Sequence, residues 1–353
     1  MENMISTGSF SKCTRILSTL TSADIATKFA NLNDAESRRV MGGASSAEFS
    51  AWSCQRALNE TSRNRYSNVL PWDNNRIRLN VESHENDYIN ASPICLQAPG
   101  LRPRRYIASQ GPTSATASHF WQMVCGETND PAVIVMLTRT YEGFREKCYQ
   151  YWSEEHKEYN CPGFSCSLTM TDKYFHAKAD CTVRQFKLET RSKTATSGSS
   201  TSVSKTVYHL YFENWGDFGA PEKGQEELIT ELCKLANKLN SANNPLIVHC
   251  SAGVGRTGTF IAVDFLQSCI FDNTIDRQEQ ATDYLVESSS LLLSGESSLA
   301  GESANLDSTA ENSDPVFDTV AILRRQRMLM VQSVRQYRFL YHILLIMLQD
   351  KSL

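Results

Sequence analysis

Cys250 ends the apolar run Pro245-Leu-Ile-Val-His249, and six positions later Arg256 begins a second apolar run through Thr259-Phe-Ile-Ala-Val263. Between them stand Ser251, Ala252, Gly253, Val254 and Gly255, small enough for the backbone to curl until successive N–H groups face one point. A strand–loop–helix arrangement would also aim the positive end of the helix dipole at that point. Such a site accepts a tetrahedral dianion. The same field holds a cysteine as thiolate, its nucleophilic form, and the planar arginine fork grips two oxygens of the anion at once. Cys-x5-Arg alone is a weak signal, and a small buried cysteine at a strand end is the bland alternative. His249, the glycines at 253, 255 and 258, and the Arg256-Thr257 pair favour the reactive reading. A nucleotide P-loop is excluded, because Gly255-Arg256-Thr257 stands where that loop needs Gly-Lys-Ser or Gly-Lys-Thr.

The elements that must carry this loop are legible from periodicity. Strands are expected at 76–81, 106–109, 132–138, 174–181, 184–190, 206–212 and 246–249, and helices at 117–124, 225–242, 259–271 and 316–327. A further helix, capped by Ser22 and marked by Ile25, Phe29 and Leu32, lies in the N-terminal segment 1–45. The implied fold class is α/β, a twisted mixed β-sheet flanked by helices in a single domain.

Composition narrows the function. With 41% hydrophobic residues in 353, the chain can bury one large core and still carry insertions. A net charge of -4 gives no case for nucleic acid, and the apolar run Leu340–Leu348 falls short of the roughly 20 residues a membrane helix needs. A soluble chain without membrane insertion or signal peptide is therefore expected. Eleven scattered cysteines with no Cys-x2-Cys pair suggest neither a disulfide framework nor a metal site, and they fit a reducing, cytoplasmic or nuclear compartment.

Two stretches depart from the core pattern. Thr194–Ser204 is almost wholly Ser, Thr, Ala and Gly, as in a flexible hairpin tip. From Asp283 to Asp318 the sequence is acidic and serine-rich without Lys or Arg, and disorder is expected over 288–315 as a surface insert. A docking site for a regulator is the alternative reading of that insert.

His249-Cys-Ser-Ala-Gly-Val-Gly-Arg-Thr-Gly258 resembles the signature loop of the tyrosine-specific, non-receptor protein tyrosine phosphatases. So do Arg63-Asn-Arg-Tyr66 with Asn68 and Leu70-Pro-Trp-Asp73, then Asp87-Tyr-Ile-Asn-Ala-Ser92, Tyr106-Ile-Ala-Ser-Gln-Gly-Pro112 and Phe120-Trp-Gln-Met123. Glu142 with Lys147-Cys-Tyr-Gln-Tyr-Trp152, then Trp215-Gly-Asp-Phe-Gly-Ala-Pro221 and Gln332-Ser-Val-Arg-Gln336, complete the family's order. The resemblance covers about 51–341 and implies a Cys-x5-Arg phosphatase fold, with a catalytic domain over 46–349.

That resemblance implies hydrolysis of phosphotyrosine in proteins, in intracellular signalling, without cofactor or metal. Cys250 would attack phosphorus, and Arg256 with the amides of 251–256 would hold the equatorial oxygens. His249 would order the loop, and Thr257 would assist the thiolate. Asp217, beside Trp215, would be the general acid on the mobile loop; read without the family, it is only a turn residue. Gln332 would position the hydrolytic water with Gln336 as helper. Glu142 would brace Arg256, and Lys147 would lie near the closed acid loop. Tyr66 would stack on the phosphotyrosine ring and Asn68 would bond the peptide backbone. The family's Trp-Pro-Asp is here Trp215-Gly216-Asp217, and glycine widens the loop's conformational ensemble. A catalytically weak phosphotyrosine-binding pseudophosphatase is the alternative.

Overall fold

In Leu246–His249 every residue is buried, with Leu246 and Val248 on one face of the strand and Ile247 on the other. That is the signature of a strand covered on both sides. The computed structural model describes residues 17–45, 50–98, 100–191, 202–216, 219, 224–271 and 314–350. In chain order these form α1 (Ser22–Ser45), α2 (Gln55–Asn59), β1 (Ala91–Leu96), β2 (Arg104–Ser109), α3 (Ala117–Glu127) and β3 (Ala132–Met136). The short strands β4 (Tyr141–Glu142) and β5 (Arg145–Glu146) pair in a hairpin of their own. Then come β6 (Lys157–Cys161), β7 (Phe164–His176), β8 (Cys181–Arg191), β9 (Ser202–Tyr211), α4 (Glu226–Leu239), β10 (Leu246–His249), α5 (Gly255–Phe271), α6 (Pro315–Gln326) and α7 (Val334–Asp350).

The main sheet is mixed, with eight strands in the order β1-β2-β10-β3-β9-β8-β7-β6. Its centre, β2-β10-β3-β9, is parallel, whereas β1 and the meander β6 to β9 pair antiparallel. β10 is thus inserted between strands made much earlier in the chain, and its C-terminal end opens at the middle of the sheet edge. In open α/β sheets that is where ligands bind. Side chains alternate along β3: Val133 and Val135 join the core beneath α4 to α7, while Ile134 and Met136 join the core beneath α3. α5 is buried on nearly every side between the sheet and its neighbouring helices, which explains its apolar circumference. Among the described residues no helix is long and apolar enough to cross a membrane.

Several expected boundaries need correction. Residues 76–81 make only an isolated bridge, Arg78 with Tyr88, and not a strand. The strand expected at 174–181 is instead the end of β7, a turn over Ala177–Ala179 and the start of β8. The turn lacks glycine and proline; His176 accepts from the Ala179 amide and Asp180 takes φ 45°. Periodicity missed β1, whose Pro93 is tolerated on an edge strand, and also β6 and α7. The acidic insert ends earlier than 318: Asp314 accepts from the amides of Val316 and Phe317 and Pro315 sits in the first turn of α6, so charge here serves as a cap. Likewise 202–204 belong to β9 rather than to the hairpin tip. The tip at 194–201 and the insert at 283–313 lie outside the described residues.

One buried carboxylate ties α5 to the sheet. Asp264, 1% exposed, accepts from Arg104 Nη2 at 2.5 Å, Tyr106 Oη at 2.6 Å and Asn237 Nδ2 at 2.6 Å. Replacing it leaves a half-buried cation and a buried hydroxyl without their acceptor. Asp264→Leu should therefore lower the unfolding free energy by roughly 3 kcal/mol, read from the midpoint of urea denaturation. A loss below about 1 kcal/mol would show that this network does not anchor the helix.

Candidate active site

The loop between β10 and α5 is shaped by what binds its carbonyls. Ser251 O accepts from the Gly111 amide at 2.9 Å, and Val254 O accepts from the Gly258 and Val331 amides at 2.9 and 3.1 Å. Gly253 O and Ala252 O accept from Arg327 Nε and Nη2 at 2.9 and 3.1 Å. With four successive carbonyls held away, the amides are left to face the cysteine, as the Gly253 amide does at 3.3 Å from Sγ. Gly253 has φ +73°, and a Cβ there would fall 2.1 Å from Ser109 O, so no other residue fits.

Cys250 is only 3% exposed, and burial opposes its ionisation. Arg256, the Thr257 hydroxyl and the amides of Thr257 and Gly253 outweigh that penalty and hold the thiol below its ordinary pKa. Burial, as the chief cause, pushes Cys54, Cys125 and Cys181 up to about 12. Cys250 is thus set apart by its donors rather than by access to water.

Arg256 is 2% exposed, and its Nη1 donates to Glu142 Oε1 at 2.7 Å and to Trp215 O at 2.8 Å. The β4–β5 hairpin therefore carries the carboxylate that aligns the guanidinium, and Lys147 Nζ approaches the same carboxylate at 3.7 Å. His249 is buried and its pKa falls to about 4, chiefly through desolvation. The Cys250 carbonyl, 3.1 Å from Nδ1, can only accept, so Nδ1 carries the proton and Nε2 accepts from Tyr151 Oη at 2.6 Å. Tyr151 in turn accepts from His209 Nε2 at 3.0 Å. This buried chain fixes the strand end from which the nucleophile projects.

Tyr66 stands at the opposite wall. Ser251 Oγ gives its one proton to Lys147 O at 2.8 Å, so Tyr66 Oη donates to Ser251 Oγ at 2.8 Å. Arg65 clamps the same loop through Gly111 O at 2.9 Å and Pro112 O at 2.6 Å. Asn68 is exposed. A Cβ built on Gly255 would fall 3.0 Å from Gln336 Nε2 and 3.4 Å from Gln332 Oε1, so both glutamines stand over the loop. Gln336 Oε1 accepts from the Gln332 and Ser333 amides at 3.0 and 3.2 Å, and its Nε2 donates to Gly219 O at 3.3 Å. Trp215 Nε1 also donates to Gly219 O, at 3.0 Å. Asp217 lies outside the described residues.

The structure thus gathers Cys250, the loop 251–255, Arg256, Thr257, His249, Glu142, Lys147, Trp215, Tyr66, Gln332 and Gln336 around one point. Sequence reasoning missed Tyr151 and Arg327. Tyr151 lay within a quoted motif, but nothing local paired it with two histidines. Arg327 is fully buried, and burial lowers its pKa to about 10, still charged at neutral pH. Among the described residues no carboxylate pairs with it, so its charge adds to the field at Cys250. In sequence it is one basic residue in Arg324-Arg-Gln-Arg327, where a solvated helix end is the natural reading.

Comparisons with known proteins agree with one another. The family model described as "Protein-tyrosine phosphatase" matches residues 60–285 and 299–346. Tyrosine-protein phosphatase 1 of Saccharomyces cerevisiae is 35% identical over 335 residues, covering 90% of this chain and 92% of that one. Tyrosine-protein phosphatase 2 of Schizosaccharomyces pombe is 32% identical over 333 residues; 93% of this chain matches, but it spans only 40% of that relative's length. A solved structure of PTPN18 in complex with HER2 phosphopeptides superposes with a TM-score of 0.63 at 26% identity, covering 92% of this chain and 99% of that one.

The field at Cys250 gives a direct expectation. At pH 6.5 iodoacetamide should alkylate Cys250 at least about tenfold faster than any other thiol in the folded chain, with the sites read by peptide mass spectrometry. Arg327→Met should move the pH midpoint of that alkylation upward. Equal labelling of Cys250 and the partly exposed Cys54 would contradict the assignment.

Proposed function

The chain belongs to the protein-tyrosine phosphatase family, and on that premise we propose that it hydrolyses phosphotyrosine in proteins through a phosphocysteine intermediate. The observation that carries this reading is the pairing of a donor-stabilised Cys250 with an Arg256 held in place by Glu142 and the Trp215 carbonyl. The Cys250 thiolate attacks phosphorus while the bond to the aryl oxygen breaks, and Asp217 gives its proton to the departing oxygen. Water, set by Gln332, then attacks the phosphocysteine; Asp217 takes its proton and the thiolate leaves. Loop amides and Arg256 hold the three equatorial oxygens throughout.

Substrate class follows from depth. Tyr66, fixed by Ser251 and Arg65, forms a wall beside a nucleophile that is almost wholly buried. An aryl phosphate reaches to the bottom, whereas a phosphoserine side chain is too short. A phosphopeptide complex of a structural relative supports the same class. We also propose that 46–349 acts as one catalytic unit with 1–45 as an accessory segment. Ten described cysteines are free, which fits a reducing compartment for signalling.

The test is steady-state hydrolysis of paired phosphotyrosyl and phosphoseryl peptides. Turnover should be confined to the former by at least about a hundredfold and abolished by Cys250→Ser; binding without turnover would establish the pseudophosphatase instead.

Gly216 supplies a second expectation. A side chain there would meet open space, and its φ lies outside the left-handed region, so neither space nor backbone requires glycine. Gly216→Pro should narrow the loop's open ensemble and raise kcat/KM on a phenyl phosphate, whose leaving group needs protonation, by a few-fold. kcat/KM on p-nitrophenyl phosphate should change little, and Asp217→Asn should erase the difference. Equal acceleration of both substrates without Asp217 would refute the closure argument.

A further inference from the structure

The apolar stripe of α1 runs Ile25, Phe29, Leu32, and its next position is Glu36, a carboxylate only 4% exposed. A core position on a helix takes a charge only when something demands it. Here two groups do. Glu36 Oε1 accepts from the Leu329 amide at 2.5 Å, and Oε2 pairs with Arg324 Nη1 at 3.2 Å. Arg324, itself fully buried, donates Nε to Met330 O and Nη2 to Val331 O, both at 3.0 Å, and Nη1 to Asn33 Oδ1 at 2.8 Å.

The segment so gripped is strained. Leu329 and Val331 both have φ 59°, a left-handed conformation that costs a non-glycine residue about 1–3 kcal/mol and is least tolerated by a β-branched one. On its other side the Val331 amide donates to Val254 O at 3.1 Å, and Gly258 packs so closely that a Cβ there would fall 2.6 Å from the Val331 nitrogen. The next residue is Gln332. We propose that Glu36 is a positioning residue for the second chemical step: it pins the strained turn 329–331 from α1 and thereby sets where Gln332 stands over Gly255. The idea rests on the phosphocysteine reading, because only hydrolysis of that intermediate uses the water that Gln332 holds. The segment outside the catalytic sheet then contributes to turnover without touching substrate.

The experiment compares parent and Glu36→Gln chains on p-nitrophenyl phosphate by stopped flow. kcat, limited by phosphocysteine hydrolysis, should fall about tenfold, whereas kcat/KM, which reports thiol phosphorylation, should stay within about twofold. The initial burst of p-nitrophenolate should rise toward one per Cys250. Equal losses in kcat and kcat/KM without a larger burst, or an unchanged kcat, would overturn the proposal. If Glu36→Gln does not fold, Asn33→Ala, which removes one anchor of Arg324, decides. A loss of about threefold in kcat alone supports the proposal, and an unchanged kcat refutes it. A parent chain with neither burst nor turnover would instead remove the phosphatase reading, and this inference with it.

Discussion

A cysteine buried from water yet held below its ordinary pKa is the constraint around which this molecule is arranged. Desolvating an ion costs several kcal/mol, and a hydrogen bond to a charged group returns about 1.5–3 kcal/mol, so several donors must converge on Sγ or on the anion beside it. Amides can do so only if their carbonyls are satisfied elsewhere. The Gly111 amide, the Gly258 amide, and Arg327 with the Val331 amide meet that need from three separate parts of the chain. The insertion of β10 at the centre of the parallel sheet brings those parts within reach of one loop.

Two arginines divide the work. Arg256 is oriented and partly neutralised by Glu142, and on the proposed reading its fork faces the bound phosphate. Arg327 lies behind the loop, among carbonyl, hydroxyl and amide oxygens, and keeps its full charge. A buried cation without a carboxylate would be costly on its own. Next to a thiolate the two penalties offset each other, and Cys250 correspondingly raises the arginine's affinity for its proton. Stability and reactivity are coupled here, whereas the demand for glycine at 253 is steric, set by its φ of +73° and the Ser109 carbonyl.

How much of this was legible in the sequence depended on whether the interactions were local. The loop could be read because a strand, small residues and a helix start are contiguous, and β10 and α5 follow from apolar runs bracketing it. Glu142, Lys147, Trp215, Tyr66, Gln332 and Gln336 came only through family resemblance, since their partners lie tens to hundreds of residues away. Arg327, Tyr151 and Glu36 eluded both routes: each is polar, and polarity in a single sequence reads as surface. β1 and α7 were missed for related reasons, one carrying a proline and the other interleaving Tyr341 and His342 with its apolar face. The early end of the acidic insert escaped because Asp314 looks like more acidic linker until its lone pairs are seen capping α6.

The acid loop shows where rigidity ends. Its first residue is fixed twice, Trp215 being buried while its carbonyl binds Arg256. At the other side Gly219 O is held by Trp215 Nε1 and Gln336 Nε2. The freedom that Gly216 introduces is therefore bounded by two anchors. On the proposed reading one anchor is the guanidinium that would bind phosphate and the other the helper of Gln332, so any shift of Arg256 or Gln336 on substrate binding would be transmitted to both ends of the loop. On that same reading, a glycine at 216 changes how often the loop closes, while the anchors decide where it closes.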